Sequence, residues 1–115
     1  MNTLHIGIDL GTTNSAIAAF NGDVLTVIPN SFGENLTPSV VRIDHRSETT
    51  AGRRACRYLD SDPANTRHEF KRLMGTDVKL AFAASGVLLL PEELSARVLA
   101  SLLADAADHL GWTPR

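Results

Sequence analysis

Gly7-Ile8-Asp9-Leu10-Gly11-Thr12-Thr13-Asn14-Ser15 is the stretch that decides how this chain is read. Before it and through it, Leu4, Ile6, Ile8 and Leu10 alternate with His5, Gly7 and Asp9. This is the period-two pattern of a strand with one face in a core, and it stops at Gly11. After it, Ser15–Phe20 and Val24–Ile28 are apolar, partly β-branched runs joined by Asn21-Gly22-Asp23, whose first pair readily takes the positive φ angles of a tight turn. Three antiparallel strands are therefore expected to open the chain, with a glycine turn between the first two. At that turn the backbone carries the chemistry. Gly11 lets the chain approach an oxyanion closely, and the N–H groups around Thr12 and Thr13 can converge on it as a nest, with the threonine hydroxyls as further donors. Asp9 would repel phosphate unless a cation stood between them, and a Mg²⁺ that keeps several of its waters suits that place. The same residues also make an ordinary hairpin turn, with Gly11 at positive φ and two threonines for strand propensity; spacing alone does not separate the two readings. No Gly-Lys-Ser/Thr follows and no helix starts there, so this is not a Walker-type loop, and the dinucleotide fingerprint is absent as well.

Beyond the hairpin, Pro29, Asn30, Gly33, Asn35 and Pro38 punctuate a loop that leads to a short strand at Val40, Val41 and Ile43, with a turn at Asp44–Ser47. A short helix is expected over Arg53–Leu59, ended by Asp60-Ser61-Asp62-Pro63. Thr66 with Glu69 forms a capping box for another that closes at Gly75, with Phe70, Leu73 and Met74 as its buried face and Lys71 off that face. Val78–Phe82 and Val87–Leu90 flank Ala83–Gly86 as a candidate hairpin. From Pro91 to Leu110, Leu94, Val98, Leu99, Leu102, Leu103, Ala106 and Leu110 recur at helical spacing. Glu92 and Glu93 stand at the positive end of the dipole, and Gly111 is the stop.

The bulk properties narrow the partners. The 115 residues allow one core, and 11 Lys plus Arg against 13 Asp plus Glu give no electrostatic reason to expect nucleic acid or an anionic membrane. Cys56 is the single cysteine and cannot form an intramolecular disulfide, which fits a reducing cytoplasm. His5, His45, His68 and His109 show no metal-ligand spacing, and the apolar run at Val87–Leu90 is far short of a membrane span. Arg53, Arg54 and Arg57 gather on the short helix, where a solvated face and an anion site are the two readings.

The segment Ile6–Ser15 resembles the first phosphate motif of DnaK-type heat-shock chaperones. Further motifs follow in order: Pro29-Asn30 with Gly33-Glu34, then Thr37-Pro38-Ser39-Val40-Val41, Ala51-Gly52 before the short helix, and Asn65-Thr66 leading to Phe70-Lys71-Arg72-Leu73-Met74-Gly75. The resemblance is close over residues 4–75 and resumes at Pro91–Gly111. The segment Thr76–Leu90 is shorter than is usual in the family, and Leu36 stands where many members have another threonine, which is similar to the divergent HscC-like branch. The resemblance implies an α/β ATPase fold of the actin, hexokinase and heat-shock-chaperone kind (ribonuclease H-like), present here as α+β and as an incomplete first lobe. Residues 1–37 would open its base subdomain, 38–90 would form its outer subdomain, and 91–115 would be a helix returning to the base. It implies ATP or ADP with Mg²⁺ as cofactors, Gly11, Thr12, Thr13 and Asn14 as phosphate-binding residues, Asp9 in the Mg²⁺ water shell, and Lys71 as the catalytic side chain reaching the γ-phosphate. The alternative for Lys71 is a solvated helix lysine beside Arg72.

The implied parent protein is a cytoplasmic molecular chaperone that hydrolyses ATP to control its grip on unfolded client polypeptides, in concert with J-domain cochaperones. The 115-residue piece is expected to be inactive alone. In that family a strand after the last helix pairs with the first strand, so an end at Arg115 is expected to leave the first strand's edge exposed and able to associate with a second copy. Two alternatives stand beside this: an actin-like or sugar-kinase-type ATP-binding piece, which shares an Asp-x-Gly-Thr turn, and a stand-alone, non-catalytic assembly module. Thr37-Pro38-Ser39 and Phe70-Lys71-Arg72 argue against the actin-like and sugar-kinase readings.

Overall fold

The computed structural model describes residues 4–111. The parts of the expected 1–37 and 91–115 segments at residues 1–3 and 112–115 lie outside them. Strands β1 (His5–Leu10), β2 (Asn14–Phe20) and β3 (Leu25–Ile28) form an antiparallel meander, and a short β4 (Thr37–Pro38) pairs with the start of β2. In register, Ile8, Ile17 and Ile28 lie side by side on one face, as do Ile6 and Ala19; Gly7, Ala18 and Val27 lie on the other. The 21–24 turn differs from the expected tight pair. Gly22 takes φ 101°, whereas Asn21 uses its side-chain carbonyl to accept from the N–H groups of Asp23 and Val24 at 3.1 and 3.0 Å, an Asx-type closure.

A second antiparallel sheet runs β6 (Thr49–Ala51), β5 (Val40–Ile43), β7 (Thr66–His68), and β8 (Leu80–Phe82) pairs with β9 (Val87–Leu89). The β5–β6 turn closes on Asp44, whose carboxylate accepts from the N–H groups of Arg46 and Glu48 at 2.9 and 3.0 Å. These contacts hold its carboxyl below the ordinary range. The short helix is two four-residue turns, α1 (Arg53–Cys56) and α2 (Tyr58–Ser61), meeting at Arg57. Asp62 follows, held by Arg42 Nε at 3.0 Å and by Asn65 Nδ2 at 2.9 Å.

The expected capped helix over 66–75 is not formed. The backbone of Thr66–His68 is committed to β5 as strand β7, and the Thr66 hydroxyl donates to the Asp62 carbonyl at 2.8 Å instead of capping. Glu69 turns the chain at φ 55° with its carboxylate near His68 and Arg72, and only Phe70–Leu73 coil, as a 3₁₀ segment. Phe70 is buried as expected, Leu73 is half-buried and Met74 is exposed.

Helix α3 (Pro91–Leu110) begins and ends where the sequence places it. Pro91 occupies the first turn, the Glu93 carboxylate accepts from the Leu90 N–H at 3.0 Å, and Gly111 closes the helix at φ 71°. Leu94, Val98, Leu102 and Ala106, one face at four-residue spacing, are fully buried against the sheets. With Ile17, Ala19, Ile28, Val41, Ile43, Phe70, Phe82 and Leu89 they make one core cluster. The helix packs on β2 and β3, so β1 lies at the margin of its cover. Ile6 and Leu10 pack against the core, but Ile8, expected to be buried with them, stays 38% exposed. Among the described residues, no helix is long and apolar enough to cross a membrane.

Candidate functional site

The β1–β2 connection is a turn in which Leu10 and Ser15 are the last paired residues. Gly11 does not take positive φ there. A Cβ at this position would collide with the Asn14 carbonyl oxygen, so glycine is needed for close backbone approach, not for a left-handed conformation.

The turn is held from beneath by Ser39, which follows β4. Its hydroxyl donates to the Gly11 carbonyl at 2.9 Å, and its N–H donates to the Thr13 carbonyl at 2.9 Å. The Ser15 and Ser39 hydroxyls lie 2.9 Å apart, both buried. Because the single Ser39 hydroxyl proton is given to Gly11, Ser15 is the donor between them. The Gly11 and Thr13 carbonyls are thereby occupied. The N–H groups of Thr12 and Thr13 have no acceptor among the described residues. Thr12 is half-buried, while Thr13 and Asn14 are exposed. Unpaired amide donors of the kind an oxyanion can accept from therefore remain at this turn.

Asp9 pairs with Ala16 across β1–β2 and lies on the sheet face away from α3, exposed and with no ion-pair partner among the described residues. It is one pleat from Gly11, on the strand that enters the turn. An exposed carboxylate free of a basic partner fits a hydrated Mg²⁺ beside a bound phosphate.

Lys71 is carried on the exposed side of the 3₁₀ segment that follows β7 and makes no ion pair or side-chain hydrogen bond among the described residues. Val40, next to the Ser39 clamp, pairs with His68, three residues before Lys71. Strand spacing plus three residues of chain keep the Lys71 Cα within about 16 Å of Val40. Asp9, Gly11, Thr12, Thr13 and Asn14 are thus gathered on one turn, and Lys71 stands apart from them on a neighbouring element.

Ser15 and Ser39 carry the turn but no role fell to them in the sequence. The signal for Ser15 is its phase: it lies in step with Ile17 and Ala19 on the core side of β2, where a hydroxyl needs a partner. Asn30 is a second such residue. Its side-chain carbonyl accepts from the N–H groups of Phe32 and Glu34 at 2.9 and 3.1 Å, fixing the loop that leads to β4.

A cleft of about 400 Å³ lies elsewhere, between the Asn30–Phe32 loop, Thr49–Ala51 and the last turns of α3. Arg53 and Arg54 line one wall, Asp105 and Asp108 the other. Burial, and next the charge of Asp108, pushes the Asp105 carboxyl above the ordinary range. None of Asp9, Gly11–Asn14 and Lys71 lines it, whereas Arg53 and Arg54, for which the sequence left a solvated face and an anion site as the two readings, do. Among the described residues, no group of three or more His, Cys, Asp or Glu side chains is placed to hold a metal directly.

In comparison with known families, the family model described as Hsp70 protein matches residues 5–97. The match takes in the glycine turn, the Ser39 clamp, the Lys71 segment and the first part of α3.

Proposed function

The chain belongs to the Hsp70 family, and on that premise we propose that Gly11–Asn14 is the phosphate-binding turn of a chaperone ATPase domain. The observation that carries the proposal is the Ser39 clamp, which occupies the Gly11 and Thr13 carbonyls beside Thr12 and Thr13 amides that have no acceptor among the described residues. In this reading Thr12 and Thr13 bind phosphate oxygens of ATP or ADP through N–H and hydroxyl groups, Gly11 and Asn14 shape the turn, and Asp9 orders water around Mg²⁺. Bound Mg²⁺ supplies neutralisation of the polyphosphate charge. Lys71 is the proposed catalytic side chain, its ammonium placed to stabilise charge on the transferring phosphoryl group, a kind of contribution worth a few kcal/mol in a transition state.

The wider assignment rests on the same family. We take residues 1–37 as the opening of the base subdomain of an actin-like ATPase lobe, 38–90 as its outer subdomain and 91–115 as the returning helix. The short Thr76–Leu90 segment, whose regular part is two three-residue strands, supports an HscC-like branch. Client polypeptides, J-domain cochaperones and a cytoplasmic location are the corresponding proposals for the parent protein.

Turnover by the 115-residue chain itself is expected to be absent. Asp9, Thr13, Asn14 and Lys71 are all open to water, so no enclosed site excludes solvent or aligns an attacking water. Phosphate release from ATP, compared between the unsubstituted 115-residue chain and its Lys71→Ala variant, tests this. Equal background rates are expected, and turnover lost on the substitution would overturn the assignment of inactivity.

A further inference from the structure

The cleft beside α3 plays no part in the phosphate turn, and it is built rather than incidental. Gly52, at φ 84°, turns the chain from β6 into α1, and a Cβ there would stand 3.0 Å from the Thr37 methyl and 3.5 Å from the Ser101 hydroxyl. Both of these residues line the cleft, so its floor is closely packed where β4, α1 and α3 meet. The Asn30 side chain fixes the loop on one side, and α3 forms a rigid rim on the other. The space of about 400 Å³ thus lies between preformed walls.

Its charges are unpaired across that space. Arg53 is drawn towards Glu34, its Nε 3.5 Å from the carboxylate. Arg54 has no ion-pair partner among the described residues and sets its guanidinium 5.9 Å from the centre of the Phe32 ring. On the opposite wall neither Asp105 nor Asp108 has an ion-pair partner among the described residues. Burial without a partner disfavours an ionised carboxylate, and Asp105 is pushed above the ordinary range accordingly. Thr37 is 4% exposed and its hydroxyl accepts from Asn30 Nδ2 at 3.4 Å, yet its own proton has no acceptor among the described residues.

We infer that this cleft is a binding site for a zwitterion of amino-acid size, its anionic end at Arg54 and its cationic end at Asp105 and Asp108. Each end supplies the charge that its wall lacks, and the Thr37 hydroxyl is a further donor for a carboxylate. A simple cation would leave Arg54 and Thr37 without an acceptor, and a polyanion such as ATP would meet two aspartates. The carbon chain between the two ends has Ala51 and Ala104 as apolar contacts. The inference is independent of nucleotide binding, because none of the residues proposed to hold phosphate lines the cleft.

The test uses the whole 115-residue chain at neutral pH, with ω-aminohexanoate as the zwitterion and hexanoate and hexylamine as its single-charge halves. Amide NMR titration with aminohexanoate is expected to give saturable shifts at residues 30–32, 51–54 and 101–105, with Thr12 and Thr13 unmoved. Its dissociation constant is expected to be at least about fivefold below that of either half, the size of one partly screened charge contact. Arg54→Gln is expected to bring aminohexanoate to the affinity of hexylamine, and Asp105→Asn with Asp108→Asn to that of hexanoate. Lys79→Gln, which removes an exposed cation outside the cleft, is expected to change nothing. No saturable shift at the cleft, halves that bind as tightly as the zwitterion, or a Lys79→Gln effect equal to that of Arg54→Gln would each overturn the proposal. The three ligands compared on the unsubstituted chain decide it even if a variant fails to fold.

Discussion

At Gly11 one hydrogen atom separates a formed turn from a collision. The Asn14 carbonyl occupies the space a Cβ would need, so Gly11→Ala is expected to force the turn open, costing on the order of 1–3 kcal/mol through lost contacts. Chemical denaturation gives the cost, and amide shifts confined to residues 10–15 and 38–40 locate it. Ser39→Ala should be of similar size for a different reason: it strands the buried Ser15 hydroxyl and removes a donor from the Gly11 carbonyl, a loss of about 1–3 kcal/mol. Ser15→Ala removes one bond and leaves Ser39 donating to Gly11, so it is expected to cost less. The carboxylates act in opposite senses with pH. Asp62 is held below its ordinary value of 3.8 by Asn65 and then Arg42, so its contribution is present above that value and is lost as pH falls through the depressed pKa. Asp105 is raised, so it binds its proton more readily when folded and costs stability as pH rises from 3.8 through the raised value. Asp105→Asn is therefore expected to raise the thermal midpoint at pH 7, with the gain shrinking on acidification. A midpoint unchanged or lowered at pH 7 would remove burial as the cause.

Among the elements, α3 was fully legible because its signals agree. Pro91 at the start, Gly111 at the end and a four-residue apolar stripe between them leave no competing structure. Leu94→Ala or Leu102→Ala, at fully buried positions, is expected to cost about 2–5 kcal/mol, whereas Leu103→Ala, only half-buried, should cost less. The 66–75 segment was misread because a capping pattern describes local preference only. Pairing of Thr66–His68 with Val40–Arg42 outbids it, and that partner lies more than twenty residues away in sequence. The hairpin strands were legible from alternation, but the exposure of Ile8 was not, since alternation names a face without saying how far a helix reaches across it. The clamp on the glycine turn was hidden for the same reason: Ser39 is next to Gly11 only after β4 has paired with β2.

For the molecule as a whole, the sequence and the fold converge on one place. The motif around Asp9 was consistent with a plain hairpin turn when read alone. The structure keeps the hairpin, assigns glycine a steric need, and leaves the Thr12 and Thr13 amides without an acceptor among the described residues. Family membership is the ground on which we propose phosphate as the ligand of those amides. Weak binding is expected, because a single open turn surrounds little of a nucleotide. The direct measurement is a two-dimensional amide NMR titration of the chain with Mg²⁺ and ATP. The account predicts saturable shifts centred on the Thr12 and Thr13 amides, retained with inorganic triphosphate and abolished by Gly11→Ala. Shifts confined to the Arg53 and Arg54 wall of the cleft, or none at Thr12 and Thr13 at millimolar nucleotide, would contradict it.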